Sequence, residues 1–253
     1  MWRNSGENDI KRSKEALRSK IWRLMVEKGV ARPPFPVYGR IPNFKGAEKA
    51  AETLAKTLEW RRALIVKVNP DSPQAPVRLR ALEEGKTLVM PTPRIREGFL
   101  LLDPKRIPGN LYRQASTIRG AFEYGVKLRT LGEILRALDP IDLIVEGSVV
   151  VNPLGERLGK GEGYGELEYA ILVELNLIEP SVAIATTVHD IQVVEERIPQ
   201  EPHDVPVDYI VTPTRTIKVE GRRERPPGIL RDSLESRKLR EIPLLRELLE
   251  GRV

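Results

Sequence analysis

Apolar residues come in two rhythms along this chain. Short runs rich in Val, Ile and Leu recur at 63–68, 87–90, 99–102, 143–151, 182–188 and 208–212. Between most of them the apolar positions fall three or four apart. Leu17, Ile21, Trp22, Leu24 and Met25 form one such stripe, with Ser13 as the expected N-cap and Gly29 as the stop. The same spacing predicts helices over 47–58, 77–84, 131–138 and 243–249. Leu167, Ala170, Ile171 and Leu175 share one face of another. Strand-length runs alternating with helices predict an α/β fold, a three-layer sandwich around a mostly parallel sheet. Prolines at 33, 34, 36 and 42 make 31–44 extended chain rather than helix. Residues 103–130 carry too little periodicity for more than one helix, and the tail from Glu220 is charged and broken by prolines. No internal repeat is visible, so the reading is one domain over 1–253.

The sharpest local feature lies between the run at 143–151 and the helix that follows. Gly155, Gly159, Gly161, Gly163 and Gly165 are interleaved with Arg157, Lys160 and Glu162. Glycines let the backbone approach a ligand and take φ > 0. The N–H groups of a helix start have no intrahelical acceptors and attract anions. Strand, glycine loop and helix start therefore form an anion cradle, with Arg157 and Lys160 adding full charge. No Lys-Ser or Lys-Thr pair opens the helix, so the loop is not a Walker A motif. It also lacks the dinucleotide spacing.

Other positions carry candidate chemistry. The loops after 63–68, 87–90 and 182–188 leave the ends of strands, where α/β sheets bind ligands. Asp71 sits in N-P-D-S-P, either as a turn residue or as a ligand acceptor. Arg94 and Arg96 face either an anion or solvent. Phe35, Tyr38 and Phe44 either pack or line a slot for a flat ring. The two histidines, His189 and His203, are each followed by Asp, and their spacing does not require a metal centre.

Composition narrows the partners. The balance of 42 Lys and Arg against 36 Asp and Glu gives +6. That modest basic bias suits an anionic ligand such as a nucleotide or a folate tail, and would also suit weak nucleic-acid binding. With no cysteine, disulfides and thiolate metal sites are excluded. No apolar run reaches the ~18 residues of a membrane helix, and the polar start lacks the apolar core of a secretion signal. A cytoplasmic protein with no membrane partner, monomer or homodimer, is the expectation.

RLGKGEGYGE at 157–166 resembles the signature loop of the 5-formyltetrahydrofolate cyclo-ligase family, R-L-G-R-G-x-G-Y-Y-D. It is most similar to the branch named for a methenyltetrahydrofolate synthetase domain, whose loop reads G-K-G-E-G-Y and runs into L-E-Y-A. The similarity extends through RIPNFKGA, VNPDSPQ, GKTLVMPTPRIREG and HDVPVDYIVTPTR. The resemblance implies a fold shared with sugar-isomerase and CoA-transferase-like relatives. It implies an ATP- and Mg²⁺-dependent ligase that passes the γ-phosphoryl group to the formyl oxygen of 5-formyltetrahydrofolate. Attack by N10 and loss of phosphate then give 5,10-methenyltetrahydrofolate. KEALR matches the family's early K-x-x-L-R, which places Lys14 and Arg18 on ATP phosphates. Arg157, Leu158, Gly159, Lys160, Gly161, Glu162, Gly163, Tyr164 and Gly165 correspond to the ATP-binding loop, with Lys160 and Arg157 as catalytic cations. Asp71 and Tyr164 correspond to the reduced-folate site. Asp71 lies fourteen positions before Gly85, the family's distance for a pterin-holding acid, although the family residue is glutamate. Glu166 and Asp204 correspond to the Mg²⁺ ligands, with Glu166 standing where the family has aspartate.

Three departures bear on turnover. Gly165 replaces the second tyrosine, Glu162 puts a carboxylate beside the triphosphate, and Glu166 lengthens the metal arm. Glu162 is repulsive there unless Lys160, Arg157 or the metal pairs with it. Two alternatives follow: a nucleotide- or RNA-binding member that has lost the reaction, and an enzyme acting on another pterin. No RNP-like aromatic strand pair appears in the sequence, so nucleic acid is not the favoured partner.

Overall fold

In the computed structural model the described residues are 4–221 and 223–251. An eight-stranded sheet organises them, in the order β12-β11-β10-β7-β3-β4-β5-β6. Its strands are β3 (Ile65–Val68), β4 (Thr87–Pro91), β5 (Phe99–Leu102), β6 (Val126–Leu128), β7 (Leu143–Glu146), β10 (Ala183–Thr187), β11 (Tyr209–Val211) and β12 (Thr216–Lys218). Two short ribbons, β1 (Ala31–Arg32) with β2 (Asn43–Phe44) and β8 (Val150–Val151) with β9 (Arg157–Leu158), lie outside it. The inner strands β4, β3, β7, β10 and β11 are parallel, and β5, β6 and β12 close the margins antiparallel. A mostly parallel sheet is therefore what forms.

The helices are α1 (Asn4–Glu27), α2 (Ala47–Leu54), α3 (Leu58–Arg62), α4 (Ala75–Glu83), α5 (Tyr112–Ala115), α6 (Ile118–Tyr124), α7 (Leu131–Ala137), α8 (Tyr164–Glu174), α9 (Ser236–Glu241) and α10 (Pro243–Glu250). They cover both faces of the sheet, which is why every position of β7 is buried. Side chains alternate between the faces. Leu143 and Val145 join Val66, Val68 and Leu88 against α2 and α4, through Ala51, Leu54, Val77 and Leu82. Ile144, Ile184 and Ile210 face Ile134, Ile171, Leu172 and Leu245 from α7, α8 and α10. These are the three expected layers. A third cluster packs α1, through Leu17, Ile21, Trp22 and Met25, on Phe44, Val150 and Leu158. Among the described residues no helix is long and apolar enough to cross a membrane.

Four expectations change. The first helix begins at Asn4, so Ser13 is an exposed interior residue and not the N-cap. Its buried stripe starts at Lys14 and gives no sign of the polar turns before it. The helix expected over 47–58 is two, because Thr57 leaves helical geometry and its hydroxyl accepts from Trp60 N to start α3. The run at 143–151 is two strands separated at Gly147, the second belonging to the loop ribbon. The 103–130 segment supplies α5, α6 and the edge strand β6. Thr117 caps α6 by accepting from Gly120 N.

Candidate active site

A cleft of about 1210 Å³ opens beyond the ends of β3 and β7. In a parallel sheet this is where loops diverge and leave room for ligands. Its walls come from α1, the proline-rich segment, the Asn69–Pro70–Asp71 turn, the glycine loop, the 201–204 segment and the 226–238 segment.

The cradle is built as the glycines require. Gly161 has φ 95° and Gly163 φ 69°, and Gly163 is the N-cap of α8. A Cβ on Gly161 would come within 3.2 Å of the Arg18 guanidinium, so backbone and cation approach closely there. Arg18 Nε donates to the Gly159 carbonyl at 2.8 Å. Lys160 Nζ lies 3.1 Å from Glu162 and 3.7 Å from Asp71. Burial alone would lower the Lys160 pKa, but Asp71 and Glu162 outweigh it and hold it above the usual ammonium value. Glu162 also meets Arg94 at 3.3 Å. The carboxylate that looked repulsive in the sequence is thus paired with two cations. Burial pushes its pKa up, yet Lys160 and Arg94 leave it below the usual range.

Lys14 and Arg18 do reach the cleft from α1. Both are buried, although α1 is a largely polar helix. Lys14 Nζ pairs with Asp204 and, at 2.7 Å, with Glu201. Arg157 is buried and fully engaged. It donates to the Gly147 carbonyl at 2.8 Å and the Val205 carbonyl at 3.2 Å, and binds Glu166 at 2.6 Å. The expected metal pair, Glu166 and Asp204, lines the same cleft, each held by a cation. Tyr164 donates to Glu241 at 2.7 Å, and Lys238 stands 3.2 Å from its ring centroid. Burial and the Glu241 bond push the Tyr164 pKa up to about 12.

The Asp71 turn is pinned from behind by Arg78 on α4. Its guanidinium donates to the Asn69 carbonyl, to the Asp71 carbonyl at 3.0 Å and to the Ser116 carbonyl at 2.7 Å. Burial lowers the Arg78 pKa to about 10 and raises that of Asp71, which Lys160 and Arg78 only partly counter.

The remaining candidates separate. His189 caps a short turn by accepting from Ile191 N at 3.1 Å, and His203 stands at the cleft 4.0 Å from both Glu201 and Asp204. Among the described residues no group of three or more His, Cys, Asp or Glu side chains is placed to hold a metal. Tyr38 reaches the cleft, Phe44 is buried in the α1 cluster and Phe35 is exposed. Arg94 lines the cleft.

The base of the cleft also holds a charged cluster that no local motif announces. Lys67 Nζ, fully buried, lies 2.7 Å from Glu146 and 2.6 Å from Glu168, and donates to Asn69 Oδ1 at 3.0 Å. Burial pushes Glu168 up to about 7, with Lys67 opposing it and Glu146 reinforcing it. The available signal was a charged residue inside each of two apolar strands, I-V-K-V and L-I-V-E. Such residues are seldom buried without partners.

A profile of the 5-formyltetrahydrofolate cyclo-ligase family matches residues 10–213. The chain belongs to this family. Members of the branch named methenyltetrahydrofolate synthase domain-containing protein are similar over nearly the whole chain. The Mus musculus protein is 41% identical over 243 residues, covering 94% of this chain and 63% of its own length. The Bos taurus protein is 40% identical over 241 residues, covering 93% and 62%. The chain thus spans a little under two thirds of these relatives. Among solved structures, that of Aquifex aeolicus 5,10-methenyltetrahydrofolate synthetase has a TM-score of 0.51 at 21% identity, covering 83% of this chain and 95% of that one. It shares the cyclo-ligase fold. The family profile ends at 213, so the 226–238 wall of the cleft lies beyond it.

Proposed function

We propose that the chain is an ATP- and Mg²⁺-dependent 5-formyltetrahydrofolate cyclo-ligase that forms 5,10-methenyltetrahydrofolate. The observation that carries this reading is one cleft that brings a cationic cradle and a carboxylate floor together, with Lys160 3.7 Å from Asp71 where they meet. The cradle end presents the start of α8, Lys160, Arg18 and Lys14. The floor end presents Asp71, Glu146 and Glu168. Phosphates belong at the first, and a nitrogen-rich ring at the second.

Phosphoryl transfer needs positioning and positive charge more than covalent help from the protein. Lys160 is the cation for the transferred group. Its ammonium lies 3.7 Å from Asp71 and 3.1 Å from Glu162, on a flexible stem that would let it turn to a phosphate in the cradle. Arg18 fixes the loop through Gly159, and Arg157 holds Glu166 at the cleft wall. The carboxylate oxygens of Glu166 and Asp204 suit Mg²⁺, which takes one or two protein carboxylates beside substrate phosphates. Bound there, Mg²⁺ would neutralise the triphosphate charge. Asp71 would hold the pterin donor edge, with Tyr164 lining the same cleft.

A second reading is a nucleotide- or RNA-binding protein without turnover. It is favoured by the carboxylates that already pair with the two expected catalytic cations, Glu166 with Arg157 and Glu162 with Lys160. Incubation with ATP, Mg²⁺ and 5-formyltetrahydrofolate, read by methenyl absorbance, separates the two. ATP binding without absorbance gain would retire the ligase reading.

A further inference from the structure

Among the carboxylates of the cleft, Glu162 has its backbone and its side chain governed separately. The flanking Gly161 and Gly163 take φ 95° and 69°, and Lys238 Nζ donates to the Glu162 carbonyl. The backbone is thus fixed, and the carboxylate is the part left to turn. It lies 3.1 Å from Lys160 and 3.3 Å from Arg94. Both pairs are partly exposed, and pairs of that kind add little to stability. What they give the carboxylate is a choice of partner.

Arg94 is set in place by a strained turn. Arg94 and Ile95 take φ 58° and 55°, left-handed values that are costly for residues with a Cβ and most of all for a β-branched one. Ile95 is fully buried in the core, and the turn packs on α8. The Thr92 hydroxyl donates to the Gly98 carbonyl at 2.9 Å and accepts from Glu97 N at 3.0 Å. These contacts override the strain, and their result is a guanidinium at the cleft, against the glycine loop.

Lys160 supplies the reason for such a cation. Its ammonium meets two carboxylates, Glu162 at 3.1 Å and Asp71 at 3.7 Å. A polyphosphate entering the cradle competes with both for one charge. Asp71 sits on the turn that Arg78 pins, and its side chain is the more buried of the two. Of the two, Glu162 is the one with a second ion-pair partner among the described residues. A carboxylate with another cation in reach leaves the first without its charge going unpaired.

We propose that Arg94 is the parking site of the Glu162 carboxylate. Glu162 is a stand-in for phosphate on Lys160, and an entering polyphosphate turns it wholly to Arg94 and releases the ammonium. Arg94 is then a positioning residue that acts through Glu162 and touches no phosphate. The inference rests on the reading of the glycine loop as a phosphate cradle, and adds to it the means by which an acidic loop residue is accommodated.

The test is a double-mutant cycle, read by calorimetric titration of the full chain with ATP and Mg²⁺. It is run at about 0.15 M salt, where exposed charges more than about 8 Å apart are largely screened. Arg94→Met should weaken ATP binding about fivefold in the otherwise wild-type chain, and no more than about twofold in a Glu162→Gln background, where no carboxylate needs parking. Arg94→Lys should restore most of the affinity, because the carboxylate needs only a cation. If Arg94→Met does not fold, Arg94→Asn takes its place, since asparagine tolerates the left-handed turn. Equal losses in both backgrounds would make Arg94 a phosphate ligand and overturn the proposal. So would no loss in the wild-type chain, or a lysine variant no better than the methionine one. ATP binding that depends on Lys160 but shows no coupling between Arg94 and Glu162 keeps the cradle and sinks the parking site. ATP that does not bind the wild-type chain overturns both.

Discussion

Lys67 sits fully buried with two carboxylates on one ammonium. The desolvation of such a group is repaid only when its partners are close and well placed. Burial lowers its pKa, but Glu146 and Glu168 more than offset this and leave it raised. Glu168 bears the strain instead, at about 7 against an ordinary 4.5. A carboxyl group raised in the folded state binds its proton more tightly there than in the unfolded chain. Stability is therefore highest below about 4.5 for this group, falls as pH rises, and levels off above about 7. Glu168→Gln should remove that slope, and the difference between the two proteins across it should be at most about 3 kcal/mol. Thermal melts of both proteins from pH 5 to 8 check it, and parallel curves would contradict the assignment. At the cradle, Lys160→Ala should weaken ATP binding by about 1.5–3 kcal/mol without unfolding the protein. Calorimetry showing unchanged ATP affinity would remove Lys160 from the site. Asp71→Asn should cost folate binding at least about tenfold. Since it also frees Lys160, ATP affinity should hold or rise.

At the scale of elements, loops are positioned by side chains that reach across the fold. Arg78 is one residue of α4, yet it holds the carbonyls of Asn69, Asp71 and Ser116 on two other segments. Arg78→Met keeps volume and loses all three bonds. It should destabilise by about 1–3 kcal/mol for each carbonyl left dry, and weaken folate binding through the displaced Asp71 turn. A melt and a folate titration that are both unchanged would show the turn to be self-supporting. Such elements explain what the sequence made legible. The glycine loop, α8 and the parallel strands β3, β4, β7, β10 and β11 were readable because spacing and turn chemistry are local signals. The start of α1 at Asn4 was not, because polar residues before the stripe carry no period. The Lys67 cluster was not, because its members are distant in sequence and meet only when β3, β7 and α8 pack. Arg157, an expected cation of the ATP loop, also ties β9 to Gly147, Val205 and Glu166, contacts no local pattern encodes.

At the scale of the whole molecule, the cleft is completed by chain from beyond the family profile. In the sequence this tail read only as charged and proline-broken, followed by one last helix. In the fold, Leu244, Leu245 and Leu248 of α10 anchor it in the core. From that anchor, Lys238 of α9 donates to the Glu162 carbonyl and covers the Tyr164 ring, while Glu241 takes the Tyr164 hydroxyl. The cradle loop is therefore held at both ends, by Arg18 of α1 on Gly159 and by Lys238 of α9 on Glu162. Lys238→Met keeps apolar bulk over the ring and removes the bond to the loop. ATP affinity should fall about fivefold, the worth of about one hydrogen bond that orders the cradle. Loss of one positive charge near the site would also weaken ATP, so affinity alone does not separate the two causes. Amide exchange does. If the strap orders the loop, the 159–163 amides should exchange faster in the ligand-free variant, and Lys238→Arg should restore protection. Exchange unchanged from wild type would leave Lys238 as a distant charge, and the strap as packing alone.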